Sequence, residues 1–199
     1  MTVSYQRYDR IAPSYDGAIR PFERWFLQRL RKEAIAALPG SGRILELGAG
    51  TGQNFQLYED SKRVVATEPS TEMLRIATTK SRSCSVNLIQ SCGERLPFAD
   101  QSFDAALATL VMCSVQSPEQ VFTELRRVVR PGGTISLLEH VRPGGLLGPL
   151  FDLINLVSVR LADDHFNRRT SELAETAGLR ITKMRKLGLG IINVITCVV

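Results

Sequence analysis

The chain has 199 residues, 44% of them hydrophobic, and a net charge of +5, enough to bury one substantial core but short for two full domains. Its four cysteines, Cys84, Cys92, Cys113 and Cys197, include no pair at zinc-site spacing, and a core of this size needs no disulfides, so a reducing cytoplasm is the expected compartment. The opening stretch, "MTVSYQRYDRIAPSYD", is charged throughout and has no apolar run of signal-peptide length.

Charge is unevenly spread. Residues 1–43 hold eight basic and four acidic side chains, residues 44–139 nine and eleven, and residues 140–199 eight and five. Two basic flanks therefore enclose a mildly acidic centre. Such flanks suit anionic lipid or nucleic-acid phosphates, and equally an ordinary solvated surface.

In chain order, "PFERWFLQRLRKEAIAAL" (21–38) has helical periodicity, with Phe22, Trp25, Phe26 and Leu30 on one side. Arg20, Arg24, Arg29, Arg31 and Lys32 accompany them, and aromatic residues beside cations are the composition of an interfacial helix. Between 43 and 141, the apolar runs "RILELG", "RVVATE", "SVNLIQS", "FDAALATLV" and "GGTISLLEHV" alternate with "STEMLRIATTK" and "SPEQVFTELRRVVR", whose apolar residues recur at three and four. This alternation predicts a mostly parallel sheet with helices on both faces, a doubly wound, Rossmann-like α/β fold. Ser117 and Pro118 read as cap and first residue of the later helix, and "RPGG" (130–133) as its stop before the fifth strand.

Beyond residue 141 the pattern changes. "LLGPLFDLINLVSVRLA" (146–162) is apolar nearly all round and needs a cover of protein or lipid. Interrupted by Pro149 and Asp152, it is too short to span a bilayer. "NRRTSELAETAG" reads as a helix capped by Asn167 and stopped by Gly178. The runs "LRITKMRKLG" and "IINVITCVV", joined through Gly188 and Gly190, read as a C-terminal antiparallel hairpin.

The most informative stretch is "ILELGAGTGQNF" (44–55), where Gly48, Gly50 and Gly52 follow a buried strand. Gln53 stands where a dinucleotide fingerprint has its third glycine, and no Lys stands where a Walker loop has one. The need for glycine is the same: the backbone turns sharply from strand to helix, and a ligand approaches it without a Cβ in the way. Glu46, in the strand end, disfavours phosphate and welcomes an ammonium, which points to a cationic nucleoside. Glu68, twenty residues after Gly48, is placed to accept hydrogen bonds from both ribose hydroxyls.

Together "LELGAGTG", "ATEPSTEML", "GERLPFADQSFD" and "ELRRVVRPGG" resemble the successive motifs of the class I S-adenosylmethionine-dependent methyltransferases. The resemblance implies S-adenosylmethionine as cofactor and S-adenosylhomocysteine as product. It sets Gly48, Gly50 and Gly52 against the methionine portion and adenosine, Glu46 toward the methionine ammonium through water, Glu68 on the ribose, and Pro69 and Met73 beside adenine; Met73 also reads as plain core. Many relatives have Asp where this chain has Cys92, which leaves the adenine amino contact to Gly93 and Glu94. Thr109 joins the cofactor set. Tyr8 and Tyr15 are candidate lid residues, with packing as the competing explanation.

Within that family, "YDRIAPSYD" and "TLVMCSVQSPEQVF" followed by "LLEHV" are similar to a narrower group: phospholipid N-methyltransferases, quinone C-methyltransferases and membrane-bound alkyl thiol methyltransferases. The expected acceptor is lipid-like or apolar, a phospholipid amine of the phosphatidylethanolamine type first, with a quinone carbon or a small thiol as alternatives. A cofactor-binding module without catalysis is the non-enzymatic alternative. Nucleic acid is not expected, since "TLVM" stands where DNA-methylating relatives carry an NPPY-type tetrapeptide. The expected organisation is one domain over 1–199, with lid or interfacial helices in 1–42, the cofactor core in 43–141, and substrate-side helices with the hairpin in 142–199. His140, at the end of the fifth strand, is the candidate general base, with a structural histidine as the alternative. Cys113 reads as a wall residue. The compartment is cytoplasmic, with an anionic membrane surface as a candidate peripheral partner, and no metal is expected.

Overall fold

The computed structural model describes residues 5–141, 168–188 and 190–199. The expectations for 146–162 and for a cap at Asn167 lie outside the described residues. Five strands, β1 (Gly42–Leu47), β2 (Lys62–Thr67), β3 (Ser85–Ile89), β4 (Phe103–Thr109) and β5 (Val129–His140), pair in parallel. A hairpin of β6 (Arg180–Leu187) and β7 (Ile192–Val198) adds antiparallel to β5. Among the described residues the sheet has the order β3-β2-β1-β4-β5-β7-β6, the mostly parallel doubly wound arrangement expected. Chain direction along the sheet reverses between β1 and β4, and in open α/β sheets ligands bind outside the carboxyl ends of strands at that reversal.

Alternation along the strands sorts side chains onto two faces. Leu45, Leu47, Ala106 and Ala108 pack against α4 (Pro118–Val128) and α5 (Thr170–Thr176). Ile44, Ala105 and Leu107 pack on the other face against α2 (Gln28–Ala36), in the cluster that also holds Ala77 of α3 (Thr71–Thr79). Glu46 and Thr109 share this second face by alternation, which brings polar groups into contact with α2.

Capping follows the sequence signals. Ser117 Oγ accepts the Gln120 N–H with Pro118 opening α4, and Ser70 Oγ accepts the Met73 N–H at the start of α3. Two local expectations are corrected. "RPGG" ends α4, but β5 already begins at Val129; the four residues form an irregularity inside the strand, where its pairing with β4 jumps from Phe103↔Val129 to Ala105↔Thr134. Nor does the glycine loop run into a helix. Residues 50–57 form successive turns, closed by bonds such as Gly52 N to Ala49 O and Phe55 N to Gly52 O, while Asn54 and Tyr58 are anchored by side-chain bonds to Glu46 instead.

The N-terminal segment is helical over a longer span than its periodicity indicates: α1 (Tyr5–Phe22), a π-helical turn (Glu23–Leu27) and α2 follow without a break. Pro21 removes one backbone donor at the end of α1, and the wider turn that follows adds a residue and rotates everything after it. The expected apolar side is therefore split. Leu30 is buried and Phe26 half-buried, whereas Phe22 is 51% and Trp25 89% exposed. Arg31, counted with the basic face, is turned inward and buried. Among the described residues no helix is long and apolar enough to cross a membrane.

Candidate cofactor and active site

A cavity of about 600 Å³ opens at the carboxyl ends of β1, β2 and β4, within the usual size range for small-molecule sites. Of the residues singled out from sequence, Gly48, Gly50, Glu68, Pro69, Met73, Gly93, Glu94, Thr109, Tyr8 and Tyr15 line it. The glycines differ in their reasons. Gly50, at φ +55, has nothing within 4 Å of where a Cβ would point, so a ligand can approach its backbone. A Cβ on Gly48 would strike Val111, and one on Gly52, which does not line the cavity, would strike the Phe55 ring.

Glu68 is 7% exposed and accepts the N–H groups of Gly50 (3.0 Å) and Ser70 (2.9 Å), one on each oxygen. Burial raises its pKa, against the pull of those two donors. Each oxygen keeps an acceptor site for a vicinal diol. With Gly50 open and Pro69 and Met73 alongside, the residues fit a nucleoside ribose.

Glu46 does not line the cavity. Its oxygens accept Asn54 Nδ2 (2.9 Å) and the Tyr58 hydroxyl (2.7 Å), and burial raises its pKa despite those bonds and nearby Arg31. Burial, then Glu46 itself, push the Tyr58 hydroxyl well above its usual value. Glu46 touches the cavity only through others: Asn54 Nδ2 also donates to Thr109 Oγ1 (3.1 Å), which lines it. His140, half-buried in register with Ile192, is not among the lining residues, and Cys113 is buried behind them. Glu94 accepts the Gln116 N–H (2.8 Å) and supports the loop after β4.

Three features escaped sequence reasoning. First, α1 is fastened across the cavity by paired residues seven apart. Tyr8 and Tyr15 line the roof with Tyr5, while Asp9 accepts Ser70 Oγ (2.6 Å) and the Glu72 N–H, and Asp16 accepts Thr51 Oγ1, Gln53 Nε2 and Lys80 Nζ. Burial raises the Asp16 carboxyl, but its donors, led by Lys80, outweigh that and hold it below its usual value. The signal was present as the Tyr-Asp pair repeated over two helical turns in "YDRIAPSYD". Second, the loop after β4 is held from both polarities. Leu110 has φ +59, uncommon for a branched residue; buried Glu139 accepts the Val111 and Met112 N–H groups, and Arg168 donates to the Met112 and Val115 carbonyls. Tyr8 reaches the same loop through Ser114 Oγ (2.6 Å). Third, Arg31 lines the cavity from α2.

This geometry agrees with relatedness. Residues 45–137 match the Methyltransferase domain family. The chain is 40% identical over 115 residues to the thiol S-methyltransferase TMT1B of Homo sapiens (55% of this chain, 47% of that protein). It is 34% identical over 142 residues to a demethylmenaquinone methyltransferase of Renibacterium salmoninarum (68% and 58%), and 30% identical over 139 residues to a phosphatidylethanolamine N-methyltransferase of Cereibacter sphaeroides (63% and 68%). The chain spans about half the length of the first of these relatives. A SAM-dependent methyltransferase of Thermotoga maritima shares the fold at TM-score 0.70, with 23% identity over 98% of this chain and 99% of that one. One from Aquifex aeolicus does so at 0.68, with 18% identity over 96% and 98%. The chain belongs to the class I S-adenosylmethionine-dependent methyltransferases, which implies S-adenosylmethionine as its cofactor.

Proposed function

We propose that the chain transfers a methyl group from S-adenosylmethionine to a lipid-like acceptor presented at an anionic membrane surface, a phosphatidylethanolamine-type amine in first place. One observation carries this reading: the helix that roofs the cavity with Tyr5, Tyr8 and Tyr15, together with the π-helical turn that continues it, bears all the exposed large hydrophobics of the described residues, Ile11, Phe22 and Trp25. The charges sort with them. Asp9, Asp16, Glu23 and Glu33 are all turned into bonds with Ser70, Lys80, Arg31 and Arg185, while Arg10, Arg20, Arg24, Arg29 and Lys32 are exposed. A purely cationic surface around exposed aromatic residues complements anionic head groups and the acyl boundary. The same helix lines the cavity, so a head group at that surface is held near the site of transfer.

When bound, S-adenosylmethionine supplies an electrophilic methyl group on its sulfonium sulfur. The chain's residues position and exclude water: Glu68 holds the ribose diol, the open face of Gly50 admits the ligand to the backbone, and the three tyrosines close the roof. A general base is required only where the nucleophile must lose a proton, as an ammonium head group must; His140, which ends β5 and does not itself line the cavity, takes that part in this reading when the acceptor lies over the end of β5. Thiol methylation is the second reading, favoured by the identity to the thiol S-methyltransferase.

Supplying methyl-labelled cofactor with phosphatidylethanolamine in anionic vesicles, a quinone precursor and a small alkyl thiol separates the readings. Label on the phospholipid amine is expected. Label on the thiol or the quinone alone replaces the acceptor, and label on none leaves a binding module.

A further inference from the structure

Along β5, Ile135 and Leu137 belong to the apolar core against α4, and by alternation the next residue on that face is Glu139, 0% exposed. A carboxylate at that depth is costly unless donors satisfy it. Donors come from the loop after β4: Oε1 accepts the N–H groups of Val111 (3.0 Å) and Met112 (3.2 Å), and Oε2 shares the Met112 N–H (3.2 Å). Arg168 takes the opposite polarity of the same stretch, donating to the Met112 and Val115 carbonyls. The loop needs such holding. It leaves β4 through Leu110 at φ +59, a conformation that a branched side chain keeps only where its surroundings enforce it. Its other side is a wall of the cavity, lined by Leu110, Val111, Ser114 and Val115. Val111 abuts the bare face of Gly48, where a Cβ would stand 2.6 Å from its Cγ2. Glu139 thus sets from behind how closely this wall stands to the glycine loop.

We propose that Glu139 is a positioning residue for methyl transfer, holding through the Val111 and Met112 amides the wall beside which donor and acceptor meet; the inference rests on the proposed methyl transfer. Sheet order selects this wall. β2 and β4 flank β1 on opposite sides, so a ligand with its ribose on Glu68, after β2, that crosses the glycine loop after β1 carries its sulfonium toward the loop after β4. In the transfer the acceptor's lone pair bonds the methyl carbon while the carbon–sulfur pair returns to sulfur. The acceptor gains the charge that sulfur loses, and S-adenosylhomocysteine leaves as a neutral thioether. Reacting atoms must stand about 3 to 3.5 Å apart and aligned, and a displacement of about 1 Å costs on the order of 100-fold. Without its carboxylate the Val111 and Met112 amides lose their anchor, Leu110 can relax, and the wall retreats. Glu139 itself does not line the cavity, and the ribose end on Glu68 and Gly50 is untouched, so the loss falls on turnover and spares cofactor binding.

Three variants separate reach from charge. Glu139→Gln keeps the reach, and its single oxygen can accept both amides as Oε1 does; Glu139→Asp keeps the charge but is one methylene short; Glu139→Ala keeps neither. Each is assayed for kcat and KM with methyl-labelled cofactor and whichever of phosphatidylethanolamine in anionic vesicles, a quinone precursor or a small alkyl thiol the wild type labels. S-adenosylhomocysteine affinity is measured by calorimetry, and amide exchange at Val111 and Met112 in ligand-free protein. The expected order of kcat is Gln, Asp, Ala, with Glu139→Ala down about 100-fold, unchanged S-adenosylhomocysteine affinity and cofactor KM, and faster exchange at the two amides in Asp and Ala but not in Gln. A fall in kcat that tracks a fall in S-adenosylhomocysteine binding makes Glu139 a support of the fold alone and overturns the proposal. Activity in Asp but not in Gln assigns the effect to charge and overturns it, as does unchanged kcat in Ala. Should Glu139→Ala fail to fold, the order of Gln and Asp decides by itself. Wild-type protein that binds S-adenosylhomocysteine and labels none of the three acceptors removes the methyl-transfer reading and this inference with it, an outcome distinct from an active wild type with indifferent variants.

Discussion

Residues 42–141 and residues 5–36 meet at one cavity, but different physics holds each in place. The sheet and the helices on it bury their contact faces, with Leu45 and Leu107 of the strands and Phe122 and Leu125 of α4 wholly out of water. The N-terminal helices bury Leu27, Leu30 and Ala34, yet what attaches α1 across the cavity is a set of polar clamps: Asp9 on Ser70, Asp16 on Thr51 and Lys80, and Tyr8 on Ser114. Apolar burial is insensitive to pH and salt, whereas half-exposed ionic clamps respond to both. A floor held by apolar burial is thus joined to a roof fastened by polar bonds, and the roof carries exposed cations and Trp25.

If the chemistry belongs to the floor and the roof only seats the acceptor, the largest loss comes from a floor residue. His140→Ala should slow turnover by about 10²- to 10⁴-fold, the range for a general base, with S-adenosylhomocysteine affinity unchanged by calorimetry. Unaltered turnover would make His140 structural and leave positioning as sufficient. The roof is broken next. Changing Arg20, Arg24 and Arg29 to Ser removes roughly 1 kcal/mol of surface attraction each, on the order of a hundredfold together. Sedimentation with anionic vesicles should fall by that factor and by rising salt, while cofactor binding stays as it was. Wild-type protein that ignores anionic vesicles at low salt would remove the membrane from the account.

Glu68→Ala tests the floor's hold on the cofactor. Losing a charged acceptor shared by two hydroxyls costs about 1.5 to 3 kcal/mol, or roughly tenfold or more in affinity; equal affinity in a folded variant takes Glu68 out of the site. The smallest effect is the roof's response to acid. Because the Asp16 carboxyl is held below its usual value of 3.8, its clamp contributes fully above that value and is lost as pH falls through the lower folded value. Amide exchange in α1 should accelerate in that acidic range before exchange in β1 and β4 does. Asp16→Asn should show the faster exchange at neutral pH, and indifference of α1 to both changes would show that burial alone retains it.

The floor was legible in the sequence because its signals are local. Apolar runs of strand length, the Ser117-Pro118 start of α4, the glycines and Glu68 each carry their meaning within a few residues. For the roof, Tyr8 and Tyr15 could be singled out, but its fastening was not legible, because that depends on partners far along the chain. The periodicity of 21–38 assumes an unbroken α-helix, and the π-helical turn at Glu23–Leu27 rotates Arg31 inward and leaves Trp25 outside. Glu46 was read, from its place in the strand end, as acting on the ligand through water; what its place in the strand could not report is that Tyr58 and Asn54, brought back by turns that replace the expected helix, bond to it. Glu139 and Arg168 act on a loop more than 25 and 50 residues away, a separation no local pattern reports.

The central claim is that one helix joins a lipid surface to the cofactor cavity, and methyl transfer to phosphatidylethanolamine in anionic vesicles tests it most directly when wild-type protein is set against the Phe22→Ser, Trp25→Ser double variant. Both residues are exposed and neither lines the cavity. The account predicts that the variant binds S-adenosylhomocysteine as the wild type does and loses most of the label transferred to the lipid. Equal label in the extracted phospholipid from both proteins would contradict it.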